Sequence, residues 1–153
     1  MFSSEKIKRA LQALQDRDID MWIVAGQESA TNTEPVLELI SDAEFIGYTA
    51  LIFCKDHSSY AVCTPIDYNG YAVLNIFDEV VAFPVSFETT LSEIIKKKNP
   101  NSIALNFSDR NPVANGLSTG TFERLKRAFD SAGFTGNIIS SEDIVADIQS
   151  VET

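Results

Sequence analysis

A glycine- and serine-rich segment, residues 105–125 (LNFSDRNPVANGLSTGTFERL), lies between a predicted strand and a predicted helix. Such loops can bind anions, because free backbone N–H groups and the positive end of the helix dipole meet at a helix N-terminus. However, three residues separate Gly116 from Gly120 where a P-loop has four, and Thr121 follows without the lysine that would contact a terminal phosphate. The spacing therefore favours a turn and a helix start, with Gly120 as the expected N-cap and Glu123 in the first turn.

The histidine and the first aspartates do not form a metal-binding pattern. His57 is the single histidine and lies in a polar turn, with no cysteine or second histidine at ligand spacing, so we interpret it as a solvated turn residue. Asp16, Asp18 and Asp20 alternate as in an EF-hand loop, but Met21 occupies the position of the required glycine. These aspartates are expected to end the first helix and to begin the next strand.

The remaining acidic pairs and serines also lack a catalytic arrangement. Asp78-Glu79 is interpreted as a solvated strand end, and Glu142-Asp143 as the first turn of a helix. The sequence contains neither a G-x-S-x-G elbow nor a G-x-G-x-x-G motif. We therefore predict no catalytic residue, no cofactor-binding residue and no metal ligand in this chain.

The charge of the protein excludes one class of partner. Its 22 acidic and 12 basic residues give a formal net charge of -10, which repels polyanions, so nucleic acid is not expected to bind. The basic run at residues 96–98 (KKK) falls where a helix should end, where the helix dipole favours cations. No apolar window approaches the roughly 20 residues of a membrane span, and we expect a cytoplasmic protein without membrane association.

Cys54 and Cys63 lie on two predicted strands that a tight turn connects. Two-residue turns would pair Cys63 with Ala50 or with Ile52, whereas a four-residue loop would place the two sulfurs opposite each other. A disulfide is thus one alternative, and two buried thiols in a reducing compartment are the favoured one.

Hydrophobic periodicity and capping residues predict alternating helices and strands. The predicted elements are a helix opening at Ser4, a strand at 21–26, a loop at 27–33, a short helix at 34–40, a hairpin of strands at 47–55 and 58–65, a short helix at 66–75, a strand at 78–84, a helix at 87–98 capped by Ser86, a strand at 102–107, a helix at 120–133 stopped by Gly133, an edge strand at 135–140 and a final helix starting at Ser140 or Ser141. This order predicts a single α/β domain over residues 1–153, with a mixed sheet covered by helices on both faces in three layers.

Part of the sequence resembles a known family. The pattern "LNxS…A(D/N)GLxxG…L" of one branch of the Xaa-Pro peptidases is similar to the run that contains Leu105, Asn106, Ser108, Ala114, Asn115, Gly116, Leu117, Gly120 and Leu125. Supporting segments occur in the same order: DIDMWIV, the hairpin, FDEVVAF and SSEDIVADI. The resemblance covers residues 5–152 and is to the non-catalytic creatinase/prolidase N-terminal domain.

The resemblance implies a ribonuclease H-like fold and a role in a larger enzyme. In that family a pita-bread catalytic domain follows, here expected after residue 153, and its two aspartates, one histidine and two glutamates hold two divalent metals, manganese, cobalt or zinc, that hydrolyse Xaa-Pro bonds. No residue of this chain matches those five ligands, so the isolated chain is expected to be inert. By resemblance it would pack on its own catalytic domain, build a homodimer or homotetramer and limit access of proline-containing peptides to the partner's active site.

The resemblance also has a departure and leaves alternatives. The family usually exits this domain through a segment like "(L/I)RxxK(S/T)", whereas here Gln149 follows Ile148 and Glu152 replaces the lysine. One alternative is therefore an inactive or creatinase-like relative, and another is a purely structural oligomerisation domain. A third, from a different class, is a stand-alone binding module that holds a phosphate-bearing small ligand at residues 116–121.

Three features are the candidates for contact with a partner's active site. By resemblance, the loop at residues 26–34 would lie nearest to it. Trp22 and Phe45 are the aromatic candidates, and core packing is the alternative role for each.

Overall fold

The computed structural model describes residues 4–28, 47–83 and 86–150. The strands are β1 (Met21–Glu28), β2 (Gly47–Cys54), β3 (Ser59–Cys63), β4 (Glu79–Ala82), β5 (Ser102–Leu105) and β6 (Asn137–Ser140). The helices are α1 (Ser4–Asp16), α2 (Tyr68–Ala72), α3 (Phe87–Lys98), α4 (Thr119–Ala132) and α5 (Glu142–Gln149), and Pro112–Ala114 forms a single 3-10 turn.

The six strands form one mixed sheet in the order β4-β3-β2-β1-β5-β6. β2 pairs antiparallel with both β1 and β3, while the pairs β3–β4, β1–β5 and β5–β6 are parallel. Five strands therefore point the same way and β2 runs against them. The carboxyl ends of β1, β5 and β6 consequently meet at one edge of the sheet, and β6 is an edge strand as predicted.

Helices cover both faces of the sheet, because successive side chains of a strand point to opposite sides. Along β1, Trp22 and Val24 belong to the core beneath α1, α2 and α5, whereas Met21, Ile23 and Ala25 belong to the core beneath α3 and α4. All five side chains are almost completely buried. The predicted three-layer α/β architecture with a mixed sheet is confirmed.

The first helix carries the predicted apolar stripe. Ile7, Ala10, Leu11 and Leu14 are buried against the sheet, and Ala13 joins them. Full burial of an isoleucine or leucine side chain contributes roughly 1.5–3 kcal/mol to the stability of the fold. Packing rather than helix propensity therefore holds α1 on the domain.

Local capping residues set the start of α3 and the end of α4 as predicted. The Ser86 hydroxyl accepts a hydrogen bond from the Thr89 N–H at 3.2 Å, which confirms the predicted cap of α3. At the end of α4, Gly133 adopts a left-handed φ of 73°, a conformation that glycine allows at little cost. The start of α4 differs from the prediction: Ser118 is the N-cap, and its hydroxyl accepts from the Thr121 N–H at 3.1 Å.

The expected N-cap at Gly120 is therefore wrong, and Glu123 does not lie in the first turn of α4. Serine accepts an N–H bond from the third residue after it, whereas glycine has no side chain to do so. The N-cap consequently lies two residues earlier than predicted, and the helix starts at Thr119.

The hairpin between β2 and β3 has a three-residue turn, which the sequence analysis did not consider. The His57 N–H donates to the Cys54 carbonyl at 2.9 Å, the Cys54 N–H donates to the Ser58 carbonyl at 2.9 Å, and His57 takes a left-handed φ of 72°. This is the turn that adds a bulge to a three-residue loop. Ala50 pairs with Val62, so all three registers considered for the cysteines are wrong.

Hydrogen bonds to Asp56 stabilise this turn. Its carboxylate accepts from the Ser58 hydroxyl at 2.5 Å, from the Ser58 N–H at 2.9 Å and from the Lys98 ammonium at 3.1 Å. Donors to the charged form favour it, and they lower the pKa of Asp56 from 3.8 to about 2, with the Ser58 hydroxyl as the largest cause.

Several other boundaries shift by a few residues. β1 extends to Glu28 because β2 continues to offer partners as far as Gly47. β5 ends at Leu105, before the predicted Asn106 and Phe107. The short helix predicted at 66–75 is confirmed but is shorter, from Tyr68 to Ala72. The helix predicted at 34–40 lies outside the described residues. Within the described ranges no helix has the length and apolar character of a membrane span.

Candidate functional site

The sequence motif at residues 105–125 folds into a loop at the carboxyl end of β5. It runs from Asn106 through the 3-10 turn to the cap of α4 at Ser118. The carboxyl ends of parallel strands are where open α/β sheets place their ligand sites, especially where the connections diverge to the two sides of the sheet. Here the connections diverge between β1 and β5, so the loop is correctly placed to be a site.

The side chain of Asn106 joins three elements in the core. Its amide oxygen accepts hydrogen bonds from the Trp22 indole N–H at 2.9 Å and from the Ser141 hydroxyl. The three residues are at most 2% exposed. Because buried donors require partners, Asn106 connects β1, the end of β5 and the start of α5. We call this trio, Trp22, Asn106 and Ser141, the buried node.

Ser108 organises the outer part of the loop. Its hydroxyl accepts from the N–H groups of Arg110 and Asn111 and donates to the Glu142 carboxylate at 2.6 Å. Its own N–H donates to the Asn115 amide oxygen at 3.1 Å. The residues of the motif thus bond mainly to one another, which explains their types and spacing.

Glu142 supplies the negative charge of this edge. Its carboxylate forms an ion pair with Arg110 and accepts from Ser108. These contacts, the Arg110 hydrogen bond above all, lower the pKa of Glu142, and the same pairing raises the pKa of Arg110. A carboxylate of the protein itself therefore stands beside the donors that an anionic ligand would need.

The loop consequently offers little to a phosphate group. Most of its N–H groups already donate within the loop, including those of Ser108, Val113, Leu117 and Thr121. A phosphate at this edge would also meet the charge of Glu142. These observations disfavour the interpretation of the loop as a phosphate cradle.

The aspartates around β1 have the structural roles that were predicted. Asp20 accepts from the Asn101 N–H at 2.7 Å and pairs with the Lys55 ammonium at 3.2 Å. Partial burial is the largest single influence on the pKa of Asp20 and raises it, but these contacts together outweigh burial, so the pKa is lowered. Asp18 pairs with the same lysine and takes a left-handed φ of 54° at the end of α1. Within the described residues no group of three or more His, Cys, Asp or Glu side chains could hold a metal ion.

The other candidate residues occupy structural positions. His57 is exposed in the hairpin turn. Asp78 accepts from the Ser59 N–H at 2.8 Å just before β4, and Glu79 is exposed at its first residue. Of the basic run, Lys96 and Lys97 are exposed in the last turn of α3, as predicted for a helix terminus.

The two cysteines are free and buried, as the favoured alternative predicted. Cys54 belongs to the core beneath α3 and α4, and Cys63 belongs to the core on the opposite face of the sheet. Burial raises the pKa of both thiols, that of Cys63 to about 11. The sheet lies between the sulfurs, so no disulfide can join them without refolding a strand.

The aromatic candidates for partner contact separate into two cases. Trp22 is fully buried in the buried node, so it has the alternative role of core packing. Phe45 and residues 29–34 of the candidate loop lie outside the described residues, while its first residues, 26–28, form the end of β1. The sequence analysis names Asn106 and Glu142 but not their roles at this edge, because their side-chain partners lie 32 to 84 positions away in the chain.

No protein-family model matches the sequence, and no curated protein matches it. Solved structures do. The Xaa-Pro dipeptidase from Bacillus anthracis matches with a TM-score of 0.69 at 12% identity, over 97% of this chain and 36% of that one. A proline dipeptidase from Streptococcus pneumoniae TIGR4 matches with a TM-score of 0.70 at 10% identity, over 95% of this chain and 98% of that one.

A third structure contains only the domain in question. The creatinase/prolidase N-terminal domain of an X-Pro dipeptidase from Streptococcus pyogenes matches with a TM-score of 0.67 at 11% identity, over 94% of this chain and 98% of that one. The fold of the present chain is therefore that of the creatinase/prolidase N-terminal domains, as the resemblance implied. The chain spans about a third of the Bacillus anthracis enzyme.

Proposed function

We propose that this chain is the non-catalytic N-terminal domain of an Xaa-Pro dipeptidase or aminopeptidase. The observation that carries the proposal is the match along almost the whole length of both chains to the isolated Streptococcus pyogenes domain. The bonding of the loop motif supports it, because the Asn106 side chain bonds to Trp22 and Ser141, and Ser108 bonds to Asn115 and Glu142. The described residues also contain no metal-ligand cluster of their own.

In this proposal the chemistry belongs to a second, catalytic domain encoded after Thr153. Two divalent metal ions there, manganese, cobalt or zinc, would activate the water that hydrolyses the bond before proline. The present domain would help to form a homodimer or homotetramer and would shape the entry of proline-containing peptides. Its net charge of -10 would bias such an entry against anionic peptides.

The reading frame after Thr153 tests the proposal. We expect the frame to continue and to encode two aspartates, one histidine and two glutamates as metal ligands. The complete protein should then cleave Xaa-Pro peptides with manganese present, while the 153-residue chain alone should not. A stop codon directly after Thr153 would refute the proposal, as would a complete protein that lacks those ligands.

The stand-alone phosphate-binding alternative has its own test. Isothermal titration calorimetry of the chain with nucleotides and sugar phosphates should show no binding at millimolar concentration, because most of the loop N–H groups already donate within the loop and Glu142 adds a negative charge beside it. Saturable binding that Ser118→Ala or Arg110→Ala weakens would favour this alternative instead.

A further inference from the structure

An open cleft of about 600 Å³ lies at the carboxyl ends of β5 and β6. It is lined by Phe107, Ser108, Asp109, Asn115, Ser140 and Glu142. Its volume is within the roughly 300–1,000 Å³ of small-ligand sites, and it lies one strand away from the point where the chain connections diverge. None of the roles given above for this domain uses the cleft.

The floor of the cleft is already ordered. The Ser140 hydroxyl donates to the Phe107 carbonyl and accepts from the Glu142 N–H at 3.1 Å. Ser108 is fixed by its bonds to Asn115 and Glu142. A ligand would therefore meet groups whose geometry is set in advance, which lowers the entropic cost of binding.

The rim of the cleft presents an aromatic ring and an extra negative charge. Phe107 is 41% exposed, so part of its ring is open to a ligand in the cleft. The exposed Asp109 and Glu142 share the charge of the single guanidinium of Arg110, which pairs directly with Glu142, so these three side chains keep one negative charge in excess. An aromatic face beside an unbalanced carboxylate attracts organic cations through both cation–π and charge–charge interactions.

We propose that this cleft binds a monovalent organic cation, an ammonium or guanidinium group carried on a short apolar body. The apolar body would lie on the Phe107 ring, and the cation would face Asp109 from the rim. Two sources could supply such a group to a domain of this kind: the amino terminus of a peptide, or a lysine or arginine side chain. Anions are excluded by Asp109 and Glu142. The proposal concerns the residues of this chain alone and does not depend on a catalytic domain.

The test is a titration of the ¹⁵N-labelled chain, followed by amide chemical shifts. Alanyl-proline amide probes the amino terminus, N-acetyl-lysine amide probes the basic side chain, and N-acetyl-alanyl-proline amide and inorganic phosphate are the neutral and anionic controls. We expect saturable shifts confined to residues 107–115 and 140–142 with at least one of the cationic probes, and none with the controls. The probe that binds more tightly identifies the source.

Variants make the result specific to the cleft. Asp109→Asn removes the unbalanced charge at an exposed position and should weaken binding about threefold, the size of an exposed charge contact. Phe107→Ala should weaken it by a similar factor, and Asp130→Asn, on the exposed face of α4, should change nothing. Saturation by the neutral control or by phosphate, unchanged affinity in Asp109→Asn, or no saturable shift with either cation would each overturn the proposal.

Discussion

Replacing Asn106 by leucine tests whether the buried node stabilises the fold. The substitution is close in size but removes the one oxygen that accepts from both the Trp22 indole and the Ser141 hydroxyl. Each buried donor left without an acceptor costs about 1–3 kcal/mol. Since the leucine side chain recovers part of this through apolar contacts, we expect a net loss of about 2–4 kcal/mol in the free energy of unfolding.

Far-UV circular dichroism measures that loss, with urea and with heat. For a domain of this size about 1 kcal/mol corresponds to roughly 2–4 °C, so the midpoint should fall by roughly 5–15 °C. Asn69→Leu is the matched control, because Asn69 is exposed on α2, and its effect should stay within about 0.5 kcal/mol.

A double-mutant cycle separates the hydrogen bond from general packing. Trp22→Phe removes the indole donor and keeps an aromatic ring in the core. In the double variant no indole N–H is left without a partner. The sum of the losses in the two single variants should therefore exceed the loss in the double variant by about 1–2 kcal/mol. Additivity within about 0.5 kcal/mol, or an Asn106→Leu variant as stable as Asn69→Leu, would refute the role assigned to the node.

Three further predictions concern the helix cap, the hairpin turn and the thiols. Ser118→Ala should lower the free energy of unfolding by about 1 kcal/mol in urea titrations. Gly120→Ala lies inside the helix, where an added Cβ meets open space, and should raise the free energy of unfolding by a few tenths of a kcal/mol to about 1 kcal/mol. A loss of stability in Gly120→Ala would instead indicate that glycine is the cap. Asp56, with its pKa lowered to about 2, should stabilise the protein above pH 4 and lose this contribution as the pH falls through about 2. The stability difference from Asp56→Asn, below about 1 kcal/mol for an exposed group, should therefore shrink steadily between about pH 4 and about pH 2. A difference at pH 2 as large as that above pH 4 contradicts the assignment. Neither Cys54 nor Cys63 should react with a thiol reagent at pH 8 until the protein is unfolded, and mild oxidation should form no intramolecular disulfide, since both thiols are buried on opposite faces; rapid labelling of the native protein would contradict this.

Local signals predicted most of the fold. Ser86 and Gly133 mark their helix ends through bonds that span only a few residues, so the sequence pattern suffices to find them. The hairpin register could not be found in this way, because its turn depends on His57 adopting a left-handed conformation, which is uncommon for any residue other than glycine. The position of the α4 cap was also ambiguous in the sequence, because Ser118, Thr119 and Gly120 are consecutive and are all residue types that cap helices.

The candidate site depended on contacts that no local pattern contains. The sequence shows the motif around Asn106 as a pattern of residues but not why asparagine is needed there. Asn106 bonds to residues of β1 and of the start of α5, which are far away in the chain. Likewise Glu142 was interpreted only as a first-turn acidic residue, and its pairing with Arg110 appears once β6 brings α5 beside the loop. Tertiary pairing of this kind sets side-chain partners that single-sequence periodicity does not encode.

The pairing of α1 with α5 imposes an order on biosynthesis. Arg17, just after α1, forms two hydrogen bonds of 3.1 Å with the carboxylate of Asp147, a residue that the ribosome adds 130 positions later. Ile144 and Ile148 cover the same core as Leu14. During translation the side of α1 that faces α5 therefore stays uncovered until nearly the whole chain has emerged. Transiently exposed apolar surface of this kind makes a partly synthesised chain prone to aggregation, and the packing of the last helix removes it.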